Sequence, residues 1–305
     1  MPTQQDLYEK EFSYPLYEAA IEGGRVKEKN IPPDQVQRPV ITDRAHGNRY
    51  IISVHLLTCV HGYLDPTRTK PASLMIFEYR LVCAEEKHNF TSVKTSLEFT
   101  EDTRSSADTK TLVRPHVLSF APFERKVCWN EARVEIEVGS SAGAEVGVDA
   151  SLATAKITLE GDKRKRGEKR YFTEGLAWTR KSRVEGQENY PEVWWYLRQN
   201  AWAQDGIPPD FRVAILLGRS SDFPFQANFY IEVNGCLGFR ISESLDRFLK
   251  RSDIRDDPIN FRPDAKPLGN LTGINRDHLG ELMEGHRLKA LAQVWGLDVI
   301  KESDN

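Results

Sequence analysis

Two histidines and a cysteine lie within one short apolar run, HLLTCVH. If this run is a β-strand, residues an even number apart project from the same face, so His55, Cys59 and His61 form a row. A thiol beside an imidazole is an arrangement that can activate a cysteine nucleophile, and two histidines on one face could begin a metal site. No third ligand is identifiable in the sequence, so we expect structural histidines, no metal and no cofactor.

A cluster of aromatic residues between positions 194 and 202 is the second candidate site. Aromatic side chains with a few polar groups can line a pocket for an apolar ligand. A cofactor-free enzyme of cyclase or isomerase type needs little beyond such a shaped cavity to fold a hydrophobic metabolite. Packing in the core is the alternative interpretation. The residues concerned are Trp194, Trp195, Tyr196 and Trp202.

Positive charge is concentrated in the segment that begins at residue 163. Residues 163–183 contain nine basic and two acidic side chains, a local charge of +7, so the rest of the chain carries −10 and the net charge is −3. Such a run can contact an anionic surface, direct the chain to the nucleus, or form a solvated hairpin tip. No RNA-binding motif accompanies it, and we expect no specific nucleic-acid partner. The candidate contacts are Lys163, Arg164, Lys165 and Arg166.

Small and apolar residues alternate with polar ones between positions 142 and 159. The apolar set changes parity after Leu152, and such a phase change marks a bulge or a bend. The pattern therefore predicts one strand with a kink near 152–153, or two short strands. We interpret it as a strand of a sandwich and keep a membrane-active β-hairpin as an alternative.

The composition favours a folded chain inside the cell. Of the 305 residues, 39% are hydrophobic and 10% aromatic, which is enough to build a core. No run approaches the roughly 20 apolar residues of a spanning helix, and the polar start of the chain carries no targeting pattern. The four cysteines are scattered singly, so we expect free thiols. These features predict a soluble cytoplasmic protein, or a nuclear one if the basic run 163–170 acts as an address.

The pattern of apolar residues predicts a mainly β fold, an antiparallel sandwich or an open barrel. Runs rich in β-branched and aromatic residues recur between positions 48 and 262 and are separated by turn residues. We expect an N-terminal arm over 1–47, a β-rich domain over 48–262, and a proline-rich connector with a C-terminal amphipathic helix over 263–305. One inserted helix is predicted over 190–206, and the C-terminal helix over 275–296 is expected to pack on the domain.

Several runs between positions 114 and 235 together resemble a broad group of uncharacterised filamentous-fungal proteins. These are RPHVLSFAPF, GSSAGAEVGVDAS, ITLEG, WWYLRQNAWAQDGIPPDFRVAILLGR and FYIEVNG. The group joins a strand with a proline-bearing turn to a glycine-rich strand, a Trp-x-Leu-x-Glu-Asn-like helix and a Gly-Ile-Pro turn. This chain has Gln199 where that pattern has glutamate. The resemblance implies a fungal origin and a β-rich fold, and it carries no activity.

Three functions from different classes fit these features. The first is a soluble intracellular binding or protein-interaction module without a cofactor, whose partner is a protein or a small hydrophobic molecule. The second is a cofactor-free enzyme acting on a hydrophobic metabolite, and the third is the membrane-active hairpin protein. Motifs for ATP, NAD or structural zinc are missing from the sequence.

Overall fold

The computed structural model describes residues 28–46, 50–83, 89–101, 115–139, 155–158, 164–182, 188–235 and 256–294. The chain is mainly β, as the sequence predicts, and its strands form two antiparallel sheets. In chain order the strands are β1 (Val40–His46), β2 (Tyr50–Tyr63), β3 (Pro71–Cys83), β4 (Phe90–Glu101), β5 (His116–Ala121), β6 (Val127–Gly139), β7 (Ala155–Thr158), β8 (Arg164–Arg180), β9 (Glu192–Arg198), β10 (Asp210–Gly218), β11 (Phe225–Gly235), β12 (Ile259–Phe261) and β13 (Gln293–Val294).

Two sheets face each other as the layers of a sandwich. The first sheet has the order β1-β2-β3-β10, and β5 and β13 both pair with the far side of β10. The second has the order β12-β11-β4-β9-β8-β6, and β7 pairs with β8. Each long strand buries alternate side chains between the sheets, because successive residues of a strand point to opposite faces.

The core between the sheets is aromatic and aliphatic. Tyr79 of the first sheet stacks on Phe211 with ring centroids 4.4 Å apart. Trp195 of the second sheet is fully buried, and its Nε1 donates a hydrogen bond to the carbonyl oxygen of Ala121, 3.2 Å away, in the first sheet. Burying a large apolar side chain stabilises the fold by about 1.5–3 kcal/mol, so these inner faces hold the layers together.

A β-bulge in β2 reverses the faces of its second half. The pairing with β3 shifts register between Leu56 and Thr58. Before the bulge Leu56 points into the core between the sheets, and beyond it Cys59 does so, while Val60 points to the outer face. A bulge inserts one extra residue into one strand, so parity along β2 is not preserved across it.

The inserted helix predicted over 190–206 is wrong. Residues Glu192–Arg198 form strand β9, hydrogen-bonded between β4 and β8. Val193, Trp195 and Leu197 face the core, and the residues between them face outward. The run is apolar on both faces, and such a run fits a helix and a strand equally well until its neighbours are known.

The C-terminal helix predicted over 275–296 is mostly replaced by shorter elements. A 3₁₀ helix spans Arg276–Met283, a four-residue helix α1 spans Arg287–Ala290, and β13 follows. Positive φ angles at Gly285 and His286 separate the two helices. Leu279, Leu282 and Leu288 pack on the outer face of the first sheet.

Residues near both ends of the β-rich region are joined by a buried arginine. Arg38 donates hydrogen bonds to the carbonyl oxygens of Val40 and Ile41 and to that of Asp257. Its side chain also donates to Asn30 Oδ1. The described part of the predicted N-terminal arm includes strand β1. The hydrogen bonds of Arg38 hold this part of the chain beside residues 256–260.

Candidate functional site

A cavity of about 530 Å³ opens at the end of β2, between the β2–β3 turn and the 3₁₀ helix. We call it the end cavity. Gly62 allows the helix to approach, because a Cβ there would lie 2.0 Å from the carbonyl oxygen of Arg276. The lining is polar and charged, and it consists of His61, Gly62, Tyr63, Arg68, Arg219, Asp222, Pro263, Asp264, Arg276 and Asp277.

Arg219 is the buried cation of the end cavity, with a side chain 3% exposed. Its Nη1 donates to the carbonyl oxygen of Ser221 and to Asp222 Oδ1, each 2.9 Å away. Its Nη2 lies 3.4 Å and 3.3 Å from the carbonyl oxygens of Gly62 and Ala72. Burial lowers the pKa of Arg219, and Asp222 opposes that effect. A guanidinium is not deprotonated in proteins, so a positive charge is held rigidly in the wall of the cavity.

Arg276 is the second cation, and it stands at the exposed mouth of the end cavity. Its Nε donates to the carbonyl oxygen of His61 at 3.1 Å. Asn275 caps the 3₁₀ helix by accepting from the backbone N–H of Asp277, which fixes the place of Arg276 at the start of that helix. Within the described residues, Arg276 forms no ion pair with a carboxylate.

The other charges around the mouth are already paired. Arg68 forms an ion pair with Asp277 at 2.8 Å, and Asp222 is bound to Arg219. Asp264 is bound to Arg262, which lies outside the cavity, at 2.6 Å. Each lining carboxylate therefore has its own guanidinium, and the charge left over is that of Arg276.

His61, which lines the end cavity, and Cys59, which lies beneath it, belong to a buried polar network. His61 Nδ1 is 2.8 Å from Ser73 Oγ, and its Nε2 is 3.0 Å from Gln37 Nε2 and 3.5 Å from Cys59 Sγ. If the amide of Gln37 donates to Nε2, the proton of the neutral ring is on Nδ1. Both His61 and Cys59 are almost completely buried.

The electrostatics of this pair oppose nucleophilic chemistry. Burial, together with the charges of Arg219 and Arg276, lowers the pKa of His61 to about 3. Burial also raises the pKa of the Cys59 thiol well above its ordinary value. The thiolate is the nucleophilic form of cysteine. A protonated thiol beside a neutral imidazole is therefore an unreactive polar contact.

The predicted row of His55, Cys59 and His61 is broken by the bulge in β2. Cys59 and His61 share the inner face, whereas His55 lies on the opposite face, with Nε2 2.8 Å from Ser53 Oγ. The described residues contain no cluster of three or more His, Cys, Asp or Glu side chains able to hold a metal ion.

The four aromatic residues of the second candidate site are not brought together. Trp195 lies in the core, and Trp194 and Tyr196 lie on the opposite face of β9. Trp194 stacks on Trp178 at 5.9 Å, with Lys94 Nζ 4.7 Å from its ring centroid. Trp202 lies in the loop after β9 and is 58% exposed. None of the four lines the end cavity.

The basic run becomes part of a strand. Lys163 lies outside the described residues, while Arg164, Lys165 and Arg166 begin β8 and pair with the end of β6. The small-residue stretch is described only as β7, so the predicted kink near 152–153 also lies outside the described residues.

Sequence reasoning missed the arginines of the end cavity. Arg68, Arg219 and Arg276 are separated by 151 and 57 positions, the differences between their residue numbers. No local motif links them, and only the closure of the sandwich end places them together.

Comparisons with known proteins find no matching family model and no similar curated sequence. In the part of the chain that the structure describes, every helix is too short or too polar to cross a membrane.

Proposed function

We propose that this protein is a binding module that takes a small organic anion, carrying a carboxylate or a phosphate, in its end cavity. The observation that carries the proposal is Arg276, a cation at the cavity mouth that has no carboxylate partner among the described residues. Arg219 adds a second, buried positive charge in the same wall. Hydrogen bonds between a guanidinium and an anion are short and strong, and the volume of the cavity is typical of small-molecule sites.

The character of the lining supports a charged ligand over a hydrophobic one. Three arginines and three aspartates surround the cavity, and each would lose hydration against an apolar molecule without compensation. The cofactor-free enzyme with an aromatic cavity remains a hypothesis. Against it, the four aromatic residues that suggested it lie apart from the end cavity.

We place the module in the cytoplasm as part of the proposal. Cys59, Cys83 and Cys128 are free thiols, the state favoured in reducing compartments. Nuclear import through 163–170 remains a second possibility. It is less favoured because the backbone of 164–169 is already paired with β6 and β7.

The test is isothermal titration calorimetry of the full chain with succinate, citrate and inorganic phosphate as probes. We expect at least one probe to bind, and Arg276→Gln to weaken it about 10- to 100-fold, the effect of losing a charged hydrogen bond. Arg80→Gln is the matched control, because Arg80 is an exposed arginine of β3 that is paired with Asp210. Equal binding by both variants, or no heat with any probe, would contradict the proposal.

A further inference from the structure

Strand β8 continues past the end of its neighbour β9 and is paired there with β6. β9 pairs with β8 from Glu174 to Arg180, but β8 begins ten residues earlier, at Arg164, and is paired there with β6 and β7. At about 3.3 Å per residue this extension is roughly 30 Å long. We call this extension the arm. It consists of β6 from Asn130, β7, and β8 up to Tyr171.

An exposed aromatic stack lies at the base of the arm. Trp202 stacks on Tyr171 of β8, with ring centroids 5.8 Å apart. Lys169 Nζ lies 5.1 Å from the centroid of the Tyr171 ring. More than half of the Trp202 surface is open to solvent. Exposed tryptophan and tyrosine are among the residues that contribute most to the binding energy of protein interfaces.

The stack is held rigidly by a buried asparagine. Asn200 Nδ2 donates to the carbonyl oxygens of Asn130 in β6 and Tyr171 in β8, at 2.7 Å and 3.2 Å. Its Oδ1 accepts from the backbone N–H groups of Trp202 and Ala203. The loop is thus tied to both strands of the arm, and little conformational entropy would be lost when Trp202 contacts a partner.

Two charges beside the stack have no ion pair among the described residues. Lys169 lies against the Tyr171 ring, and Asp205, exposed at the end of the Trp202 loop, accepts a hydrogen bond from Asn130 Nδ2. Four charged residues beside this patch are paired with one another, in the contacts of Arg133 and Arg170 with Glu131 and Glu168. Within the described part of the chain, the patch therefore offers a cation, an anion and an exposed tryptophan for contact with a partner.

We propose that this patch, formed by Trp202, Tyr171, Lys169 and Asp205, binds the same patch of a second copy of the chain. A two-fold interface requires a surface that is complementary to itself. Here Lys169 of each copy faces Asp205 of the other, and the two Trp202 rings pack at the centre. A polyanionic partner such as single-stranded nucleic acid is less well matched, because the patch carries a single cation and Asp205 would repel phosphates.

Sedimentation velocity of the full chain over a range of concentrations tests the proposal. We expect reversible dimers, and Trp202→Ala should raise the dissociation constant at least about tenfold, as for a central tryptophan. Lys169→Asp and Asp205→Lys should each weaken self-association, because each places like charges together twice in the dimer.

Mixing the two charge variants separates the interface from a folding defect. One copy then has an acidic side chain at both positions of the patch, and the other has a basic side chain at both, so each contact across the two-fold axis joins opposite charges. We expect the equimolar mixture to dimerise as the unmodified chain does, with each variant shown to be folded by its thermal midpoint. A monomeric unmodified chain, or a mixture that associates no better than its components, would overturn the proposal.

Discussion

Replacing Gly62 with alanine tests whether the close approach of the 3₁₀ helix to β2 creates the proposed anion site. A Cβ at this position would lie 2.0 Å from the carbonyl oxygen of Arg276 and 2.8 Å from its carbonyl carbon. Contacts below about 3.0 Å do not occur for real Cβ atoms, so the backbone of Arg276 must withdraw by about 1 Å (3.0 minus 2.0). The clash is with backbone, and no side-chain rotation relieves it.

The expected cost follows from two opposing effects. Forcing an extra methyl group into a packed site destabilises by about 1–3 kcal/mol. Alanine returns about 0.4–1 kcal/mol by restricting the unfolded chain. We therefore expect Gly62→Ala to lower the free energy of unfolding by about 1–2 kcal/mol. The same movement should break the hydrogen bond from Arg276 Nε to the carbonyl oxygen of His61. Because this hydrogen bond positions the guanidinium, the affinity for the anion should fall at least about tenfold.

Urea denaturation and calorimetry with the anion probe measure the two effects separately. Gly175→Ala is the matched control, because its Cβ would meet the Phe123 ring at 2.3 Å, in the core and away from the cavity lining. The control should lose stability while its folded molecules bind normally. Gly62→Ala with unchanged affinity would refute the reasoning that links this glycine to the position of Arg276.

Two further predictions concern His61 and the cysteine thiols. The pKa of His61 is about 3 in the fold against an ordinary 6.5, so between these values the unfolded state binds the extra proton and stability falls as pH falls. We expect the free energy of unfolding of His61→Gln to depend less steeply on pH between about pH 6.5 and about pH 5. The slope should be smaller by up to about 1.4 kcal/mol per pH unit, measured by urea denaturation at each pH. His116, whose pKa is also lowered by burial, is present in both proteins, so its contribution to the difference in slope cancels. An unaltered slope would rule out a neutral buried His61. Secondly, iodoacetamide labelling read by peptide mass mapping should modify exposed Cys128 first, then Cys83, whose pKa burial raises to about 11, and Cys59 only after denaturation. Rapid native labelling of Cys59 would show that its thiol is accessible.

The long strands could be predicted because their evidence is local. In β2, β3 and β4, β-branched and aromatic residues recur between turn residues, and a sheet buries such runs whatever its partner strands are. The same reasoning failed for Glu192–Arg198, which is apolar on both faces. There the pairing with β4 and β8 decided between strand and helix, and pairing partners are distant in sequence.

The predicted row of three side chains on one face is wrong for a related reason. His55, Cys59 and His61 share parity in the sequence, but one extra residue in β2 places His55 on the opposite face, and a bulge is visible only in the pairing with β3. Arg219 and Arg276 leave no motif, because each follows an ordinary strand end or turn.

The sequence by itself determined the mainly β class, the strands with a clear two-residue period and the lack of a recognisable catalytic motif, since these depend on neighbouring residues alone. Only the tertiary structure decided the faces of β2, the strand β9, the charged lining of the end cavity and the exposed stack of Trp202 on Tyr171. Each of these depends on contacts between residues many positions apart, which form only when the two sheets close on each other.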